Sequence, residues 1–217
     1  MRIGNREFDT ENGVYVMGIL NVTPDSFSDG GRWLERDAAL RQAAKMAAEG
    51  AAIIDIGGES TRPGHRPVGA EEEAARVLPV IAAVKRETGL PVSVDTYRHE
   101  TARLALEAGA DMINDIWGLR YDGGEMARLI AQSGAACCLM HNRKSAEYRG
   151  FMPELLEDLR GTLDLAAAAG IARERIILDP GIGFAKSCGQ NLTAMHRLDE
   201  LAALGCPVLL AASRKSV

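Results

Sequence analysis

Most residues in this chain that could do chemistry stand in short polar stretches, each following an apolar run. "NVTPDSFSDGG" (21–31) holds Asn21, Asp25 and Asp29 and ends in two glycines. Asp25, Asp29 and Gly30 stand as in a D-x-D-x-D-G calcium loop. Phe27, however, occupies a ligand position, and Arg36 stands where the bidentate glutamate belongs, so calcium is set aside. A surface turn and a loop closing over a charged substrate are the two readings left. "DIGGESTRPG" (55–64) offers glycines that let backbone approach a ligand, and donors at Ser60, Thr61 and Arg62 suited to phosphate or carboxylate. A purely structural loop is the alternative there. Asp95, Asn114 and Asp179 each follow apolar residues. Two carboxylates and an amide suit a flat heterocycle with an N–H/NH2 edge; two core salt bridges would also satisfy them. "SRKS" (213–216) brings Arg214 and Lys215, either a cationic field for an anion or a solvated tail. His65, His99, His141 and His196 are scattered, with no H-x-H or H-x-x-x-H pair, so a zinc hydrolase site has no support. His141 itself reads as a core or rim residue.

These stretches need strands to present them. Apolar runs at 15–20, 52–57, 91–95, 112–116, 136–141, 175–180 and 207–213 alternate with alanine- and leucine-rich segments of helical period, most ending at glycine. Glu71, Glu72 and Glu73 crowd one helix start, Pro79 is expected to kink that helix, and Leu192, Met195, Leu198 and Leu201 form an expected apolar stripe. Strict β–α–β alternation implies a parallel sheet with right-handed crossovers. No G-x-G-x-x-G follows the first strand, and polar residues close nearly every strand: Asn21, Asp55 to Glu59, Asp95, Asn114 and Asp115, His141, Asp179, Ser213. An open sheet gathers its ligand at one switch point, whereas a barrel collects groups from many strand ends. The expected fold is α/β, a (β/α)8 TIM barrel forming a single domain over 1–217. Only seven strands are counted, and roughly 45 further residues would complete the barrel. The last helix–strand–helix is therefore expected to be missing from the chain, since an open barrel exposes two edges.

The 217 residues are 47% hydrophobic and 25% charged, with 5% aromatic, so aliphatic side chains must fill the core. No apolar run reaches the ~20 residues of a membrane span, and the first residues lack a secretory h-region. Cys137, Cys138, Cys188 and Cys206 make no C-x-x-C and read as structural residues, which suits a reducing cytoplasm. A net charge of −5 argues against nucleic acid but leaves room for a local cationic cluster that binds a small anion. No membrane is expected as partner; small molecules and a second copy in a homodimer are.

Together, "MGILNVTPDSFSDGG", "AAIIDIGGESTRPG", "SVDT", "GADMINDIWG", "LMHN", "ILDPGIGFAK" and "LLAASRKS" resemble the dihydropteroate synthase family in order and spacing, from near residue 15 to the end. The resemblance implies a pterin-binding barrel. Such an enzyme joins 6-hydroxymethyl-7,8-dihydropterin diphosphate to p-aminobenzoate with Mg2+, releasing diphosphate by a dissociative path. By it, Asp95, Asn114, Asp179 and Lys215 bind the pterin, with Met140 against its face. Asn21 holds magnesium, Thr61 and Arg62 meet the diphosphate, and Pro63, Phe184, Ser213 and Lys215 frame the p-aminobenzoate. Asp95, with Asp25 or Asp29, faces the developing cation, while Arg62 and magnesium serve the leaving group. The absence of a nucleophile–base pair fits a path without a covalent enzyme intermediate.

The chain departs from the family pattern in three places. It ends before the family's Arg-x-His, Ala185 replaces a glycine often found in "GIGFAK", and the fifth loop is short and basic, with no role read for Arg143 or Lys144. Two other readings stay open: the pterin domain of a cobalamin-linked methyltransferase, which would have no diphosphate to manage, and a non-catalytic pterin-binding homologue.

Overall fold

The computed structural model describes residues 1–22, 31–59 and 68–212, leaving aside the side chains of 31–35. It comprises two compact units, Met1–Asn114 and Asp115–Val217.

The first unit opens with a small antiparallel hairpin, β1 (Arg2–Ile3) and β2 (Arg6–Glu7), which sequence periodicity did not reveal. Four parallel strands follow in sheet order: β3 (Val16–Asn21), β4 (Ala51–Gly57), β5 (Val92–Asp95) and β6 (Met112–Asp115). Helices α1 (Gly31–Ala48), α2 (Ala70–Thr88) and α3 (His99–Glu107) alternate with them. β4 is buried along its whole length, as expected of a parallel strand covered on both faces. α2 buries Ala74, Val77, Val80, Ile81 and Val84, carries Glu71–Glu73 in its first turn and stops at left-handed Gly89. It runs on through Pro79 without a break.

Register decides what the strand ends display. Asn21 pairs with Gly57, Gly57 with Asp95, and Asp95 with Asn114, so these four form one row across the carboxyl ends. Two residues earlier the row reads Ile19, Asp55, Ser93, Met112. Strand period two gives both rows the same face, one layer apart.

In the second unit β7 (Ala136–Met140) pairs in parallel with β8 (Ile176–Asp179), and Met140 lies opposite Asp179. α4 (Glu125–Ser133) and α5 (Phe151–Ala169) end at left-handed Gly134 and Gly170. The strand expected at 207–213 is, among the described residues, a single bridge between Leu178 and Val208. β8 has only four residues to pair along, and Leu178 supplies both flanking bonds, to Pro207 O and from Leu209 N.

The helical segment expected to carry the stripe from Leu192 to Leu201 is two helices, α6 (Cys188–His196) and α7 (Leu198–Ala202), broken at Arg197. A repeat of three drifts by about 60° per step around a helix, so the proposed stripe could not hold one face. Leu192 is accordingly 53% exposed while Leu201 is fully buried. α6 begins with a capping box between Ser187 and Gln190. Cys137, Cys138 and Cys206 are buried, and Cys188, in the first turn of α6, is exposed.

Candidate active site

In the first unit the row at the strand ends holds an exposed Asn21 and half-buried Asp95 and Asn114. Gly57 stands between Asn21 and Asp95. A Cβ there would lie 3.4 Å from Asn21 Oδ1 and 3.5 Å from the Asp95 carboxylate, so glycine leaves the room between them open.

Beneath the row, Asp55 is buried at 4% exposure, and its Oδ2 accepts from Asn114 Nδ2 at 3.1 Å. Asp55 Oδ1 and Ser93 Oγ are buried without a completed hydrogen bond, although the hydroxyl is near enough to favour the carboxylate. Burial raises the Asp55 carboxyl, with Ser93 and Asn114 pulling the other way. A carboxyl so placed fixes the donor side of Asn114 downward and leaves the amide oxygen for the row above. Asp55 stands among the polar strand ends in the sequence, with no role evident there. The available signal was a charge inside an otherwise apolar run, "AIIDIG".

The root of the second loop is anchored by buried ions. Arg98 donates to Glu59 Oε2 at 2.6 Å and to Glu73 Oε2 at 3.3 Å, while Thr96 and Thr101 also donate to Glu73. Tyr97 OH bonds Glu59 Oε1 at 3.2 Å. Every carboxylate oxygen named here is held by a donor, which is what burial demands.

In the second unit Asp179 ends β8, buried at 2% exposure, and its Oδ1 accepts from Gly181 N at 2.6 Å. Gly181 has φ +71, and a Cβ there would collide with the His141 carbonyl, so this turn requires glycine. Met140 is buried and Phe184 half-buried. Asp115 serves its own turn, accepting from Trp117 N at 2.8 Å and Leu119 N at 2.7 Å. Burial still pushes it up to about 6.

Asp25, Asp29, Thr61, Arg62, Pro63, Ser213 and Lys215 lie outside the described residues. Among the described residues no group of three or more His, Cys, Asp or Glu could hold a metal ion.

Residues 17–217 match the family model described as pterin binding enzyme. The chain is 51% identical over 217 residues to the dihydropteroate synthase of Clostridium beijerinckii, covering 100% of this chain and 80% of that protein. Its structure is similar to that of dihydropteroate synthase from Clostridium difficile in the presence of pteroic acid. The TM-score is 0.93 and the identity 47%, over 96% of this chain and 80% of that one. It is similar also to the Xanthomonas albilineans dihydropteroate synthase with 4-aminobenzoic acid, at TM-score 0.89 and 44% identity, over 94% of this chain and 74% of that one. The α/β fold is thus the (β/α)8 barrel that the strand-end pattern predicts.

Proposed function

Because the chain belongs to the dihydropteroate synthase family of pterin-binding enzymes, we propose a division of that reaction among its residues. The activity is a transfer in folate biosynthesis: 6-hydroxymethyl-7,8-dihydropterin diphosphate and p-aminobenzoate give 7,8-dihydropteroate and diphosphate. The observation that supports the residue assignment best is the row Asn21, Gly57, Asp95, Asn114, backed from below by Asp55.

The aminopyrimidinone edge of the pterin carries N–H donors, and the acceptors assigned to it are the carboxylates of Asp95 and Asp179 and the amide oxygen of Asn114. Met140 packs on the ring face, and Lys215 contributes from the last stretch. The bond between the pterin methylene carbon and the diphosphate oxygen breaks first, and its electron pair leaves with the diphosphate. Asp95, with Asp25 or Asp29, stabilises the cation left on the methylene by fixed negative charge. Thr61 and Arg62 neutralise the leaving group through charge-assisted hydrogen bonds. The amine of p-aminobenzoate, framed by Pro63, Phe184, Ser213 and Lys215, then forms the carbon–nitrogen bond and loses a proton.

Asn21 presents a hard amide oxygen at an exposed strand end, beside the space Gly57 leaves. That suits Mg2+, which keeps several waters and takes substrate phosphates in preference to many protein ligands. Bound there, the ion would supply charge neutralisation to the diphosphate.

Among the described residues no helix is long and apolar enough to cross a membrane. A cytoplasmic homodimer working on small molecules is the proposed setting, and sedimentation of the purified protein reports its oligomeric state. The function is tested by incubating the protein with pterin diphosphate, p-aminobenzoate and Mg2+. Dihydropteroate and diphosphate should appear in equal amounts. No turnover, with tight binding of methyltetrahydrofolate, would overturn the reading.

A further inference from the structure

The fifth loop, basic and without a role in the sequence, is wired to the segment that carries Phe184. Arg143 Nε donates to Asp158 Oδ2 at 2.6 Å and its Nη1 to Glu154 Oε2 at 2.8 Å. Its guanidinium lies 4.4 Å from the centroid of the Tyr148 ring, a cation–π contact that sets the ring's position. Phe151 packs edge-on against the same ring, with centroids 5.0 Å apart. With these two ring contacts, Tyr148 OH donates to the carbonyl of Ala185 at 3.1 Å. Ala185 has φ +44, a left-handed conformation an alanine seldom takes unless its surroundings impose it.

A second connection reaches the neighbouring carbonyl. Lys186 Nζ donates to Phe184 O at 3.0 Å and lies 3.0 Å from His141 Nδ1. An ammonium can only donate, so Nδ1 is the acceptor and Nε2 carries the hydrogen that meets Asp158 Oδ2, 3.0 Å away. Asp158 thereby joins His141 to Arg143, and one chain runs Lys186, His141, Asp158, Arg143, Glu154. The backbone of Phe184–Ala185 is thus fastened at two consecutive carbonyls by two side chains that share this network.

We infer that Tyr148 and Lys186 are positioning residues that hold Phe184 in place and so set the affinity for p-aminobenzoate from the fifth loop. The inference rests on the proposed placement of Phe184 at the p-aminobenzoate. Neither residue touches substrate in this account; both act through the backbone of Phe184 and Ala185.

The test uses Tyr148→Phe, which deletes only the hydroxyl and keeps the ring against Arg143 and Phe151, and Lys186→Met, which deletes the ammonium. Losing one such hydrogen bond should raise the KM for p-aminobenzoate roughly two- to tenfold. The KM for pterin diphosphate should stay as in the wild type, and Lys186→Arg should recover part of the loss. Hydrogen–deuterium exchange should rise at 182–187 in both deletion variants. A merely structural role would lower Tm and move both KM values together, and that result overturns the inference. If the wild type turns over but both variants keep its p-aminobenzoate KM, the inference fails and the assigned reaction stands. If the wild type does not turn over, the reaction fails instead, and unchanged exchange at 182–187 would then overturn the positioning claim by itself.

Discussion

Asn114 directs its side-chain NH2 down onto Asp55, with Nδ2 3.1 Å from Oδ2 of a carboxyl that is almost fully buried. The bond chooses between the two amide orientations, and the one it selects turns the Asn114 oxygen toward the strand ends. An N–H edge needs an acceptor there. Asp55→Asn removes the preference, since an amide below can both donate and accept. Pterin affinity, measured by calorimetry, should fall about tenfold, the scale of one hydrogen bond to a charged group. Asn114→Ala should cost more alone, and adding Asp55→Asn to it should cost little further. Fully additive losses would show that the two residues act independently.

Asp179 and Asp29 should separate binding from chemistry. Asp179 has one oxygen committed to Gly181 N, so Asp179→Asn keeps that bond and the turn while removing the charge. Pterin binding in Asp179→Asn should weaken at least tenfold, and Asp179→Ala should abolish it. Asp29→Ala should bind the pterin as the wild type does and turn over more slowly. Equal losses of pterin affinity in Asp179→Ala and Asp29→Ala would contradict this division.

The strand-end placement of several proposed site residues is legible because a parallel strand announces its own end. Asp95 and Asp179 each close an apolar run and Asn114 with Asp115 closes another, so each stands at the end of a strand. Asp55 was harder to read, because its carboxyl sits one layer down and its partners, Ser93 and Asn114, are fixed by register rather than spacing. The link between His141 and Lys186 spans 45 residues and depends on rotamers, which no local pattern encodes. Leu192 to Leu201 misled for a different reason: a period of three resembles a helical stripe over one turn and departs from it over three. The hairpin of β1 and β2 has strands of two residues, too short for any periodicity to show.

Ala185 should be improved by glycine. At φ +44 its Cβ is crowded by its own backbone, and Ala185→Gly relieves that by about 1 kcal/mol. Because Tyr148 and Lys186 still hold the segment, the p-aminobenzoate KM should change little. Urea unfolding measures the first effect and steady-state kinetics the second; a destabilised variant would mean that the left-handed turn is not strained.

Arg98 pairs with both Glu59 and Glu73, whose side chains are 5% and 1% exposed. Arg98→Met leaves two buried carboxylates without it, and breaking a buried pair from one side costs about 3–5 kcal/mol. Burial already raises Glu73, so the variant should take up a proton there on folding and regain stability at acid pH. Thermal unfolding at pH 7 and pH 5 reads both effects. A loss below about 1 kcal/mol at pH 7 would show that Arg98 is not what compensates the pair.

His141 and Asp115 should oppose one another in the pH dependence of stability. Burial, and then Lys186, lower His141 from its ordinary 6.5 to about 4, against the pull of Asp158. Its neutral form stabilises the fold, so this contribution is complete above pH 6.5 and is lost as pH falls through about 4. Burial raises Asp115 from 3.8 to about 6, so its protonated form stabilises, completely below 3.8 and no longer once pH has risen through about 6. Each is on the order of 3 kcal/mol, and the signs are opposite over the same interval. Asp55 and Glu73, also raised chiefly by burial, add to the Asp115 side. Replacing either group should therefore uncover the other. His141→Gln should lose stability steadily as pH rises from 4 to 6.5, whereas Asp115→Asn should gain it relative to the wild type across that range. Urea midpoints taken every half pH unit decide the matter, and parallel profiles for the two variants would mean that neither buried group titrates as its surroundings dictate.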